Sequence, residues 1–91
     1  MATGSVQSAD TIFKNYGDAV SNLNTATETG YGYTQDAVGI PSGYTNGFFV
    51  TFNTGTIGIQ IYVPYFDNTL SLPIKARYYL TTRWGNWSDI L

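Results

Sequence analysis

The sequence predicts a mainly β domain with one short N-terminal helix, arranged as a small antiparallel sheet or a sandwich-like knob. From about residue 30 onward, short runs of β-branched and aromatic residues alternate with Gly, Pro and Asn, the pattern typical of strands joined by hairpins. Aromatic residues make up 16% of the chain and charged residues only 11%, the opposite of the balance in disordered chains. The length of 91 residues fits one domain, which we place at residues 8–91.

The only stretch with helical periodicity covers residues 8–25. Five apolar residues recur there at near-helical spacing: Ile12, Phe13, Tyr16, Val20 and Leu23. Ser8 or Asp10 is a candidate N-cap, whereas Gly17 weakens the helix by about 1 kcal/mol relative to Ala. We therefore expect a short helix that ends near Leu23. Residues 1–7 are expected to be a flexible N-terminus or a remnant of cloning.

Five strands are predicted after this helix, at about residues 30–34, 48–52, 57–63, 78–83 and 87–91. The second and third form the clearest hairpin, across Asn53-Thr54-Gly55. The alternation fails between Pro64 and Pro73, where a surface loop is expected.

The third strand has two different faces. One face carries four aliphatic side chains and is predicted to be core: Ile57, Ile59, Ile61 and Val63. The other face carries Gly58, Gln60 and Tyr62, so it is expected to be solvent-exposed or pressed against a neighbouring chain.

Charge and composition exclude several classes of function. The formal net charge is −2, so there is no basic stripe for a phosphate backbone, and we expect no nucleic-acid partner. No run approaches the ~18 apolar residues that a membrane-spanning helix needs, so no membrane insertion is expected. The chain has neither Cys nor His, which removes thiol nucleophiles, imidazole bases and zinc ligands of these types.

Carboxylates are the remaining catalytic candidates, and six are present: Asp10, Asp18, Glu28, Asp36, Asp67 and Asp89. A glycosidase needs two carboxyl groups about 5–9.5 Å apart, for which Glu28 with Asp36 or Asp67 is the candidate pair. Their neighbours instead favour turn and cap roles. Asp67-Asn68-Thr69 offers oxygen ligands but lacks the spacing of a calcium loop. We therefore predict no enzyme activity, no catalytic residue, no metal and no cofactor.

The most distinctive motif is Trp84-Gly85-Asn86-Trp87, in which the two tryptophans are expected to flank a hairpin or a bulge and to project near one another. Aromatic rings with amide and guanidinium groups nearby suit the binding of a saccharide. The candidate ligand-binding residues are Trp84, Tyr44, Arg83, Asn86 and Asn46.

The tryptophans, Arg83 and two tyrosines also have a structural interpretation. Both tryptophans are also candidates for closing a thin β core. Arg83 is a candidate either to stack on Trp84 or to shield a sheet edge. Tyr31 and Tyr33 share one strand face, so a ligand-contacting role and a core role are both open for them.

Seven short pieces occur in order over about residues 20–91: Leu23-Asn24, Glu28-Thr29-Gly30-Tyr31, Pro41, Gly47-Phe48-Phe49-Val50, Gln60-Ile61-Tyr62, Arg77 and Trp84-Gly85-Asn86-Trp87. This series resembles the pyocin knob family, which occurs in phage tail fibres and related tail-derived proteins. The resemblance implies a small β-rich domain at the distal part of a fibre, often in a homotrimer, that attaches to a bacterial surface. No catalytic residue comes with it.

The resemblance and the composition together predict a host-surface recognition module of a phage tail fibre or related receptor-binding protein. Its partner would be a bacterial surface glycan or protein, and its location the virion tail or a tail-like particle. The alternatives are a purely structural fibre or baseplate module and a carboxylate-dependent polysaccharide hydrolase.

Overall fold

The computed structural model describes residues 13–65 and 72–90. Eight strands occur in these ranges: β1 Lys14–Asn15, β2 Val20–Asn22, β3 Gly30–Val38, β4 Asn46–Asn53, β5 Ile57–Pro64, β6 Lys75–Leu80, β7 Arg83–Trp84 and β8 Ser88–Asp89. A single 3-10 turn, Leu23–Thr25, follows β2. The predicted mainly β character is therefore confirmed.

The described strands form one mixed sheet. Its centre is an antiparallel meander of the four long strands β3, β4, β5 and β6. The short strands β1 and β2 run parallel to β3 at one edge of the sheet, and β7 and β8 run antiparallel to β6 at the opposite edge. The antiparallel arrangement predicted from the sequence is thus correct for the meander, whereas the edge formed by β1 and β2 is parallel.

The hairpin predicted across Asn53-Thr54-Gly55 joins β4 to β5. Its register runs from Gly47 opposite Pro64 to Asn53 opposite Gly58, and the amide of Thr54 donates to the carbonyl of Ile57 at 3.0 Å. The strand predicted at residues 78–83 instead begins at Lys75 and ends at Leu80. It ends there because Thr81 has a positive φ of 60°, which turns the chain back into β7.

The predicted N-terminal helix is wrong over its described part, residues 13–25. These residues form β1, β2 and the 3-10 turn, and residues 8–12 lie outside the described ranges. Gly17 has a φ of +73°, which a right-handed helix does not allow. The amides of Lys14 and Tyr16 donate to the carbonyls of Thr29 and Tyr31, so these backbone groups pair with the sheet edge instead of within a helix.

The prediction that the aliphatic side of β5 forms the core is also wrong for this chain taken alone. Gln60 and Tyr62 are fully buried, whereas Ile57 is 58% exposed and Ile59, Ile61 and Val63 are only partly buried. We call the side of the sheet that carries Phe49, Gln60, Tyr62 and Arg77 the inner face, and the opposite side the outer face. The chain covers its inner face and leaves the outer face largely open.

The inner face is buried by loops that cross it. Leu23 and Ala26 from the segment after β2, and Tyr44 from the β3–β4 connection, pack on Phe49 and Tyr62. Partly buried residues extend this cluster: Tyr16, Val20, Ile40, Leu72 and Trp87. The core is therefore one layer of large side chains between a sheet and its own connections, as expected for a small domain.

Gly47 lets the Tyr62 ring lie directly on β4. A side chain at position 47 would overlap the Tyr62 ring. The Tyr62 hydroxyl shares a buried hydrogen bond with that of Thr34 at 2.6 Å, so the ring is fixed at both its face and its tip. Glycine at position 47 is therefore a packing requirement.

We expect Gly47→Ala to lower the free energy of unfolding by about 1–3 kcal/mol, because the added methyl group overpacks the site against Tyr62. Urea unfolding followed by tryptophan fluorescence would measure the loss. Gly85→Ala is the matched control, because the nearest atom to its new methyl group would be a carbonyl oxygen at 3.6 Å. Equal unfolding midpoints for the two variants would contradict this account of Gly47.

Candidate functional site

A one-residue shift in register places both tryptophans on the inner face. Trp84 of β7 pairs with Tyr79 of β6, whereas Ser88 of β8 pairs with Ala76. Since side chains alternate along a strand, residues 84 and 87 would otherwise point to opposite faces. The extra residue between β7 and β8 acts as a β-bulge and brings the two indoles to the same side. Of the two geometries predicted for this motif, the structure has the bulge. A tight hairpin turn would need positive φ, and neither Gly85 nor Asn86 has it.

The two indoles enclose the guanidinium of Arg77. Its central carbon lies 4.3 Å from the ring centroid of Trp84 and 4.5 Å from that of Trp87. Both distances are within the range of cation–π attraction. The side chain is almost entirely buried, with 5% of its surface exposed, and desolvation lowers the pKa of Arg77 to about 10.

Neutral oxygen atoms accept the hydrogen bonds of this cation. Its Nε donates to Oε1 of Gln60 and its Nη1 donates to Oδ1 of Asn24, both at 2.9 Å. Gln60 in turn donates to the hydroxyl of Thr51 at 3.0 Å. Arg77 takes part in neither of the two ion pairs found among the described residues, which join Lys14 to Glu28 and Lys75 to Asp89.

Both tryptophans that enclose this arginine also donate hydrogen bonds to the loops that cross the inner face. Trp84 Nε1 donates to the carbonyl of Asn24 at 3.0 Å, and Trp87 Nε1 donates to the carbonyl of Gly39 at 3.1 Å. We call Trp84, Arg77 and Trp87 the Trp–Arg–Trp stack. It joins the C-terminal edge of the sheet to the two loops that cover the inner face.

A row of aromatic contacts continues from the stack in both directions. Trp87 meets Tyr62 edge-on with ring centroids 5.9 Å apart, and Tyr62 meets Tyr44 in the same manner at 5.8 Å. At the other end, Trp84 packs on Tyr79 at 4.7 Å. Tyr79 and Trp84 are only partly buried, so the row runs from the core to the surface.

The structure brings together only some of the predicted ligand-binding residues. Trp84, Arg83 and Asn86 lie at one end of the sheet, where Trp84 is partly buried and the other two are exposed. Asn46 begins β4 next to Pro64 and Tyr65, whereas Trp84 lies beyond β6 at the hairpin end, so the two are separated along the whole length of the sheet. Tyr44 is 8% exposed, and its hydroxyl donates to the carbonyl of Pro73.

Some expected contacts are made by other residues. The cation stacked on Trp84 is Arg77, while Arg83 is exposed and lies opposite Leu80. Arg77 belonged to the motif series of the sequence without any assigned role. The predicted strand began at residue 78 and left Arg77 outside it; the pairing with Gln60, which places Arg77 on the inner face, is seen only in the structure. Tyr31 and Tyr33 both lie on the outer face.

The candidate pair Glu28 and Asp36 is spaced too widely to act as a hydrolytic pair. Glu28 lies two residues before β3, and Asp36 lies near the end of this strand. Eight residues of extended chain separate them by roughly 25 Å, much more than the about 9.5 Å limit for two carboxyl groups that flank a glycosidic bond. Asp67, the other candidate partner of Glu28, lies outside the described residues. Within the described ranges, no three acidic residues cluster as a metal site would require.

Searches against family models, curated proteins and solved structures find no match to this chain. In residues 13–65 and 72–90 there is also no helix with the length and apolar character needed to span a membrane.

We expect Arg77→Ala to lower the free energy of unfolding by about 3 kcal/mol, because it leaves the buried acceptor of Gln60 and the acceptor of Asn24 unpaired and removes the packing between two indoles. Denaturant unfolding would measure the loss, and the tryptophan emission of the folded state should shift. Arg83→Ala, at an exposed position on the neighbouring strand, should change the stability by less than about 0.5 kcal/mol. A similar small change for Arg77→Ala would show that the stack contributes little.

Proposed function

We propose that this chain is a host-surface recognition module of a phage tail fibre or a related receptor-binding protein. Its ligand would be a bacterial surface saccharide or protein, bound without chemical conversion. The resemblance of the motif series to the pyocin knob family is the origin of this proposal, and the surface at the end of the aromatic row is the observation that supports it best.

We call the end of the sheet that carries Tyr79, Trp84, Arg83 and Asn86 the tryptophan edge; Tyr79 and Trp84 lie on its inner face and Arg83 on its outer face, opposite Leu80. Trp84 is held rigidly, because its ring lies on Arg77 and its Nε1 hydrogen bond fixes its orientation. Part of its surface stays accessible, and exposed guanidinium and amide groups stand beside it in sequence. A rigid, partly exposed ring with hydrogen-bonding side chains at the same end of the sheet suits a sugar, which presents a C–H face and polar rims.

The rest of the chain favours the same kind of site. Two of its four basic side chains are in ion pairs and a third is buried in the Trp–Arg–Trp stack. Long-range electrostatic attraction would therefore be weak, and binding would depend on short-range fit and on several copies that act together. This agrees with the homotrimer that the resemblance implies for the parent fibre.

A purely structural role in a fibre or baseplate is the second candidate, and a specific observation favours it. Two rings of the aromatic row, Tyr44 and Tyr62, are buried within the fold, so these rings serve packing. In that role the tryptophan edge would be covered by another part of the particle. A hydrolase remains the least favoured candidate because of the separation of Glu28 and Asp36.

Binding of the labelled domain to a panel of bacterial cells and isolated surface glycans tests the proposal. We expect saturable binding that falls at least about tenfold in a variant with both Arg83→Ala and Asn86→Ala, since a lost hydrogen bond to a charged group costs about 1.5–3 kcal/mol. Both positions are exposed, so the variant should remain folded.

Asn46→Ala is the matched control, because Asn46 lies at the far end of the sheet and its loss should leave binding unchanged. Absence of binding to every cell and glycan, even on a trimeric carrier that restores avidity, would favour the structural role. Equal losses in the control and the double variant would remove the assignment to the tryptophan edge.

A further inference from the structure

The outer face of the sheet is apolar and open. Six of its large apolar residues are each more than two-fifths exposed, and the most exposed is Tyr78 at 70%: Tyr31, Phe48, Phe52, Ile57, Tyr78 and Leu80. They lie in register across the four central strands, with Phe52 opposite Ile59, Ile59 opposite Tyr78, and Ile57 opposite Leu80. Between them stand Val50, Ile61 and Val63. The result is one continuous surface.

Charge is almost absent from this surface. Arg83, which pairs with Leu80 at the margin of the sheet, is the one charged residue that the described strand pairings place on the outer face. Lys75 and Arg77 belong to the inner face, where they stand opposite Tyr62 and Gln60. Two identical charged surfaces repel each other when they meet, but two copies of an uncharged face do not. The outer faces of two copies can therefore meet without charge repulsion.

The size of the surface also fits self-association. Since a large side chain carries roughly 200 Å² of surface, the exposed fractions of the six residues leave about 600 Å² open. The partly buried aliphatic residues of β5 add to this area. A specific interface buries about 800 Å² on each partner, and the largest apolar patch of an ordinary monomer is about 300–600 Å². The outer face thus exceeds what a monomer usually exposes and approaches what a stable interface needs.

Few other apolar residues of this sequence are available to cover the outer face. Phe13 lies on it, stacked on Tyr31 at 5.4 Å and tilted against Phe52 at 6.1 Å. Outside the described ranges, the larger apolar residues are few: Met1, Val6, Ile12, Phe66, Leu70 and Leu91. A second copy, in contrast, brings an apolar surface of equal area and matching composition.

We propose that the outer face packs against the outer face of a second copy of this chain. Two sheets that meet in this way lie about 10 Å apart, with their strands inclined at about 30°. The aliphatic side chains of β5 then occupy the centre of the contact, and each copy buries the surface that its own connections leave open. This inference does not depend on the function proposed above.

The mass of the full chain in solution tests the inference, by light scattering coupled to size-exclusion chromatography and by sedimentation over a range of concentrations. We expect a dimer, because each outer face meets one other outer face; a trimer would contradict this pairing of two sheets. Tyr78→Lys places identical charges inside the contact, so the dissociation constant should rise at least about 100-fold. Because Tyr78 is exposed in the single chain, the variant should keep its circular dichroism spectrum.

Val38→Lys is the matched control: Val38 is also an exposed apolar residue, at 61%, but lies at the end of β3 beside β2. It should leave the mass unchanged. A monomer at every concentration would overturn the proposal, whether the outer face then binds residues 1–12 of its own chain or an unrelated protein. An oligomer that is equally stable in wild type, Tyr78→Lys and Phe48→Lys would also overturn it, since the contact would then lie elsewhere.

Discussion

The buried guanidinium of Arg77 is the constraint on which the rest of the inner face depends. Removing such a group from water costs several kcal/mol unless other interactions replace its hydration. Here the replacement consists of two indole faces and two side-chain amide oxygens. No carboxylate of the described residues pairs with the guanidinium. The indole and amide groups come from three parts of the chain, so the cation can be accommodated only when the bulge, the central strands and the loop after β2 are all in place.

The need to replace the hydration of Arg77 also explains why the polar side of β5 is buried. Gln60 has no room to contact water, and its amide bridges Arg77 to Thr51 and to the carbonyl of Ala26. Glycine at position 47 leaves space for the Tyr62 ring beside this network. A face with glycines and hydrogen-bonding groups can accept loops that carry backbone carbonyls, whereas a purely aliphatic face offers those carbonyls no partner.

Much of the fold was predictable from local patterns. Alternation and turn residues gave the hairpin of β4 and β5 and the start of β3, because both signals depend on neighbouring residues. The helix was mispredicted because the apolar spacing around Tyr16 fits a helix, while the backbone of Lys14 and Tyr16 pairs with residues about fifteen positions away. The identity of the buried face was also beyond local patterns, since period-two alternation separates two faces without saying which one the connections will cover.

The candidate site was predictable to a similar extent. The sequence predicted that the two tryptophans project near one another, because a hairpin or a bulge was expected between them. Their shared contact with Arg77 did not, because it depends on a register shift between β6 and β8 that the sequence does not mark. Asn46 and Trp84 were grouped by side-chain chemistry, but the length of the central strands separates them.

The two margins of the sheet have a further consequence. Each is occupied by a pair of strands of two or three residues, interrupted at residues 16–19 on one side and 85–87 on the other. Broken margins of this kind offer an incoming strand no long row of free backbone groups, which is how natural sheets avoid joining edge to edge. In the part of the chain that the structure describes, these margins therefore disfavour the addition of further copies edge to edge, which is the geometry on which growth into a fibril depends.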